Sequence, residues 1–201
     1  MKKIFLLFIF SLMFNAVYSQ KKKTPQKTTS SVVAKSDNVS VAISKNSLFL
    51  LISNKGVIKD TILLKTIDAN SLPTECKILP FLAKGVKLYS VSWVEKKVTE
   101  TKLKTEDATT VNTELCEVVS KTKLLSNAQT TTKVKEIHFL DAKQTVSETV
   151  QKVRNEGFVL SLTKEGDVIL KNKTQENKLT YNPTENKFVN ASISTQTKKK
   201  K

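Results

Sequence analysis

The stretch VKLYSVSWVEKKVTETKLK, Val86–Lys104, is the longest extended signal in the chain. Successive side chains of a strand point to opposite faces. Tyr89, Val91 and Trp93 therefore share one face, and Leu88, Ser90, Ser92 and Val94 share the other. Aromatic and β-branched residues suit such a pleated, half-buried surface. Thr109–Leu125 answers this stretch, with Thr109, Val111, Thr113, Leu115, Glu117 and Val119 on one face. Glu106-Asp107-Ala108 supplies turn-forming residues between the two. The expectation is a long antiparallel hairpin whose register pairs the apolar faces.

Toward the N-terminus, Val39, Val41 and Ile43 alternate with small residues, Leu48–Ile52 is continuously apolar, and Asn54-Lys55-Gly56 is a turn before Val57–Leu64. These three runs read as a meander. Lys65–Cys76 is loop-like. Lys77–Leu82 carries Pro80, which cannot donate to a ladder, so it belongs at a sheet edge or strand end.

Toward the C-terminus, Ser126–Thr132 is polar and reads as a loop, a natural place for a break between two subdomains. Lys133–Asp141 alternates again. Val146, Val150 and Val153 then stand at i, i+4 and i+7, the stripe of a helix over about 145–156. Thr145 and Glu148 have capping-box spacing, and Gly157 sits where a helix would end. Phe158–Leu162, Val168–Lys171, Leu179–Tyr181 and Lys187–Val189 read as strands joined by turns at Lys164–Asp167 and Asn182–Asn186. The expected fold is a single β-rich domain of the α+β class over 37–190, mainly an antiparallel meander and hairpin sheet, with one short packed helix near 145–156.

The first nineteen residues have another character. Lys2 and Lys3 precede an apolar run from Ile4 to Phe14, and Asn15–Ser19 follows. This is the three-part layout of a secretory signal peptide, 1–19, cleaved after Ser19. The run is about half the ~20 residues a membrane-spanning helix needs. Ala16-Val17-Tyr18-Ser19-Gln20 resembles the signal-peptide ends of exported proteins of the Bacteroidota, a resemblance confined to the first twenty residues. It implies a periplasmic or extracellular destination and a route in which the sequons at Asn38, Asn172 and Asn190 are not glycosylated.

The 201 residues carry a net charge of +16. Loss of the leader leaves +14, and eight of those charges lie at the ends. Lys21, Lys22, Lys23 and Lys27 fall in a polar stretch, 20–36, expected to be a disordered linker. Lys198, Lys199, Lys200 and Lys201 close a basic tail, 191–201. Such clusters attract polyanions through a field that salt screens. In an exported protein the candidates are anionic envelope lipids and glycans. Nucleic acid is a poorer match, because Arg154 is the sole arginine available for base readout.

Little reactive equipment is present. His138 is the one histidine, on an alternating strand, so a serine triad or a Cys116–His138 dyad has weak support. The four glycines are scattered, which excludes a P-loop or dinucleotide fingerprint. No cofactor or metal is called for: two cysteines and one histidine fall short of a structural zinc site. Cys76 and Cys116 would in an oxidising compartment be candidates for a disulfide. Tyr89 and Trp93, at i and i+4 on a strand, form either a core face or a stacking platform for sugars. The sequence thus points to an exported, non-enzymatic protein of the envelope or medium with a binding or structural role. A secreted hydrolase with a carboxylate site and a glycan-binding or adhesion module are the alternatives.

Overall fold

The computed structural model describes residues 31–68 and 71–191. Thirteen strands form three antiparallel meanders, and no helix occurs among the described residues. The N-terminal sheet has the order β1 (Ser31–Ser36), β2 (Val39–Ser44), β3 (Ser47–Asn54), β4 (Val57–Thr66). The central sheet follows as β5 (Thr74–Ala83), β6 (Val86–Glu100), β7 (Lys104–Glu117), β8 (Thr122–Phe139), β9 (Ser147–Gly157). The C-terminal sheet is β10 (Val159–Leu162), β11 (Val168–Lys171), β12 (Glu176–Asn182), β13 (Lys187–Asn190). Neighbouring strands in every sheet are consecutive in sequence, so each connection is a hairpin.

The root of β6 is covered on both faces. Tyr89, Val91 and Trp93 pack with Val39, Val41, Leu48, Leu50, Ile62 and Leu64 of the N-terminal sheet. On the opposite side Leu88 and Ala83 meet Tyr181, with Phe81, Val86, Leu124 and Phe188 around them. The N-terminal sheet is tied at both flanks. Lys87 pairs with Asp37 at 2.7 Å, and Lys121 with Asp60 at 2.9 Å. The distal half of the central sheet extends beyond this cover, and β9 is exposed along its whole length.

Several expectations are corrected. The helix over 145–156 is β9, paired with β8 from Gln129↔Gly157 to Phe139↔Ser147. Its valines are β-branched and prefer strands, and β8 offers eleven residues of open edge that a helix would leave unpaired. Asp141, rather than a Thr145–Glu148 capping box, orders the preceding turn: its Oδ1 accepts from the Thr145 and Val146 N–H groups at 2.8 and 2.9 Å. Gly157 ends the strand against the Ala128 carbonyl. The β6–β7 turn lies at Thr101–Leu103, where the Lys104 N–H donates to Thr101 Oγ1 at 3.1 Å, and Glu106, Asp107 and Ala108 lie within β7.

The expected loop at Ser126–Thr132, where the alternative of two subdomains placed its break, lies inside β8. Its threonines are β-branched and polar, and Thr110 and Thr130 share a cross-strand hydrogen bond of 2.9 Å. The last six residues of the expected linker form β1. The hairpin register also differs: Tyr89, Val91 and Trp93 oppose Cys116, Glu114 and Asn112 rather than an apolar row. Pro80 stands on β5 at a sheet edge, and the C-terminal meander forms as its turns indicate.

The turn between β10 and β11 docks the C-terminal sheet on the β5–β6 hairpin. Gly166 there has φ +82°, and a Cβ would overlap the Leu82 carbonyl oxygen and lie 2.7 Å from Ala83 Cα. Gly56, at φ +79°, meets nothing. Gly56→Ala is expected to cost about 1 kcal/mol through its left-handed backbone alone. Gly166→Ala adds a packing clash and is expected to cost about 3 kcal/mol, a difference that urea unfolding of the two variants measures.

Candidate functional site

Two sheets diverge where β9 leaves the central sheet and the chain enters β10. The Asn127 side-chain N–H donates to the Phe158 carbonyl at 2.9 Å and pins that junction. The cleft that opens beside it has a volume of about 690 Å³. One wall is the central sheet at Gln129, Asn155, Glu156 and Gly157. The other is the face of the C-terminal sheet bearing Val159, Ser161, Ile169 and Lys171, which share that face because Val159 opposes Lys171 and Ser161 opposes Ile169. The β11–β12 turn closes one end with Asn172, Lys173 and Thr174.

The polar groups are oriented before any ligand arrives. Gln129 Nε2 donates to Thr131 Oγ1 at 3.1 Å, and Thr131 Oγ1 donates to Asn155 Oδ1 at 2.9 Å. That relay leaves Gln129 Oε1 as an acceptor and Asn155 Nδ2 as a donor. Asn172 Oδ1 accepts from the N–H groups of Thr174 and Gln175, both at 2.9 Å, which stiffens the turn carrying Lys173. Lys171 pairs with Glu176 at 2.7 Å, and that carboxylate holds its pKa above the usual lysine value. Lys173 has no ion-pair partner among the described residues. Glu156 is the cleft's one carboxylate, and Arg154 Nε holds it at 2.7 Å.

Tyr89 and Trp93 are placed in the core, with 2% and 1% of their surface exposed, so neither forms a stacking platform. The Tyr89 hydroxyl meets Asn38 Oδ1 at 3.1 Å, and the Trp93 indole N–H donates to Glu95 Oε1 at 2.8 Å. Lys65 clamps the same carboxylate at 2.7 Å. Beside them Glu114 is buried, accepting from the Ser126 hydroxyl at 2.6 Å with Lys123 at 3.8 Å. Burial pushes its pKa up despite both partners.

Cys76 and Cys116 are free thiols. β6 lies between their strands, so two interstrand spacings, ~9.6 Å, separate β5 from β7. A disulfide needs Cα atoms within ~7 Å, which corrects the expected bridge. Burial, with Glu114 adding to it, pushes the Cys116 thiol up to about 12. His138 lies fifteen residues along β8 from Lys123, the neighbour of Cys116. That distance, ~50 Å at strand rise, separates the two members of the dyad considered from sequence. His138 instead faces Glu136 at 3.4 Å on the exposed distal sheet. The terminal lysines Lys21, Lys22, Lys23, Lys27 and Lys198–Lys201 fall outside the described residues. Among the described residues no group of three His, Cys, Asp or Glu side chains converges as metal ligands.

The cleft was not legible in the sequence, where Asn172–Asn177 reads as a polar loop. One signal was present: Lys171 and Lys173 bracket an asparagine whose side chain can cap its own turn.

Two outcomes follow for the buried groups. Ellman's reagent is expected to leave Cys116 untouched in the folded protein and to titrate two thiols after unfolding in guanidinium, with the intact mass unchanged by reductant. Because the folded state raises the Glu114 pKa, the folded protein holds the extra proton, and stability declines as pH rises above the ordinary carboxyl range. Glu114→Gln is therefore expected to stabilise the protein at pH 7, with a gain that shrinks on acidification toward pH 4. Denaturant midpoints of both proteins across that range measure it. Compared with family models, curated proteins and solved structures, the chain matches none, and its function is read from the chemistry of the cleft itself.

Proposed function

We propose that the chain is an exported, non-enzymatic binding protein of the cell envelope or the surrounding medium, whose cleft takes an anionic glycan. The lysine-rich ends hold it near anionic lipids and glycans. The observation that carries this reading is the donor set of the cleft: Lys173 without an ion-pair partner among the described residues, Lys171 in an exposed and exchangeable pair with Glu176, oriented amides, the hydroxyl of Ser161, and the apolar side chains of Val159 and Ile169 on one wall. Amides and hydroxyls match sugar hydroxyls, lysines match a carboxylate or phosphate, and apolar side chains match the C–H face of a ring. A single carboxylate already paired with Arg154 falls short of the two that glycoside hydrolysis uses. Export is supported by the leader at 1–19, and the attraction to surfaces by the charges at 21–27 and 198–201.

The test is titration of the full-length chain with an oligogalacturonate and with a neutral oligosaccharide of equal length. The acidic sugar is expected to shift the side-chain amide resonances of Gln129 and Asn155, and its affinity is expected to fall on raising salt from ~50 to ~300 mM. The double variant Lys171→Glu, Lys173→Glu is expected to bind about tenfold more weakly, from roughly 0.7 kcal/mol per exposed charge contact. Deletion of 20–30 and 198–201 is expected to abolish salt-sensitive association with anionic vesicles while leaving the cleft's affinity unchanged. Equal binding of neutral and acidic sugars, or indifference to the double variant, would overturn the assignment.

A further inference from the structure

Among the described residues the three sheets have six terminal strands, and five of these are short or interrupted. β10 and β13 have four residues each. The β1–β2 register breaks between Val32 and Ala34, and the β3–β4 register breaks twice. β5 carries Pro80 and an irregularity between Thr74 and Lys77. β9 differs: eleven residues, no proline, no register break, every side chain exposed. Such an edge presents a row of unpaired N–H and C=O groups and is a template for another strand.

We infer that the free edge of β9 is a dimerisation surface that pairs antiparallel with β9 of a second copy about a two-fold axis at Gln151. The side-chain order of the strand is self-complementary in that register. Glu148 opposes Arg154 of the second copy, and the axis repeats the pair. Thr149 opposes Val153, Val150 opposes Lys152, Ser147 opposes Asn155, and the two Gln151 amides meet on the axis. Lys152 stands diagonal to both Glu148 and Lys152 of the second copy, and its ammonium, held by Glu136 of its own sheet, is neutralised there. Opposite charges directly across a strand pair are favourable, and diagonal neighbours lie within reach of long side chains.

Neighbouring registers are poorer. Centring on Lys152 sets Lys152 against itself and Glu148 against Glu156. Centring on Val150 leaves Arg154 beyond the end of the partner strand. Arg154 now holds Glu156 at 2.7 Å, an exposed pair that can be exchanged at little cost. Lys152 keeps Glu136 at 2.8 Å on its own sheet. The product is one continuous sheet made from two central sheets, with both β9 edges satisfied. The β9 edge shares Asn155 and Glu156 with the cleft wall, but its test reads self-association rather than glycan binding, so the failure of one reading is distinguishable from the failure of the other.

The test is sedimentation of the full-length chain across a concentration series with two charge variants, joined by cross-linking of two cysteine variants. The parent is expected to reach a reversible dimer. Glu148→Arg is expected to weaken it about tenfold, and adding Arg154→Glu is expected to restore most of the loss. Far-UV spectra and thermal unfolding of the two variants should match the parent, which separates lost pairing from lost folding. Under mild oxidation Gln151→Cys is expected to cross-link two copies, since opposed residues of an antiparallel pair have Cα atoms about 4.5–5.5 Å apart. Val153→Cys, offset from its counterpart by ~13 Å, is expected to stay uncross-linked. A monomer at every concentration, or a dimer indifferent to Glu148→Arg, would overturn the surface. Equal cross-linking at 151 and 153 would overturn the register.

Discussion

The root of β6, with the adjoining Asn112–Glu117 of β7, is buried on both faces, and the attachment of all three sheets depends on it. Trp93, Val91 and Tyr89 seat the N-terminal sheet, while Leu88 on the other side seats the C-terminal one. A small antiparallel sheet with one apolar face needs a partner layer to be stable. Full burial of one large apolar side chain contributes about 1.5–3 kcal/mol, against about 0–1 kcal/mol for an exposed ion pair. The buried residues of β6 therefore outweigh the ion pairs found among the described residues, nearly all of which are at least partly solvated.

Past Trp93 the central sheet loses this cover and is held by other means. Glu136 on β8 gathers Lys104 of β7 and Lys152 of β9, and the lysine hydrogen bonds hold its carboxyl down at about 2. Threonines ladder across the same strands. Apart from Thr132 and Val134, which are buried, these contacts are partly solvated and individually weak, so opening is expected to begin in this half and to stop at the β6 root. The cleft lies at the boundary between covered and bare sheet. One wall is braced by the docked C-terminal meander, and the other belongs to a strand with a free edge.

Local pattern was readable where one cause dominated. The alternation at Tyr89, Val91 and Trp93 marked a buried strip, and Pro80 marked an edge. The turns of the C-terminal meander stood out because Gly166 and Asn182-Pro183 allow few conformations. Reading failed where residue polarity was taken for conformation. Thr130–Thr132 are polar yet β-branched, and their fate was set by two flanking strands rather than by their own sequence. Val146, Val150 and Val153 mimic a helical stripe by spacing, but a strand spreads them over both faces of the sheet. The cleft was unreadable for a different reason. Its walls come from 129, 155–161 and 169–174, and they converge only through the junction that Asn127 pins at Phe158.

Apolar burial explains why the sheets stack but not why they stack in one register, because hydrophobic attraction is non-directional. A slide of the N-terminal sheet by two residues would keep the same faces in contact. It would also part the Tyr89 hydroxyl from Asn38, pull Lys65 away from the carboxylate that holds the Trp93 indole, and separate the Lys123 ammonium from the Leu64 carbonyl it reaches at 3.2 Å. Tyr89 is buried, so its hydroxyl left unpaired would cost about 1–3 kcal/mol; the two lysines keep 39% and 38% of their side chains in solvent, and each of their ties contributes less. The polar ties around the β6 root therefore select the register, and the apolar strip supplies the adhesion that makes the selection worth keeping.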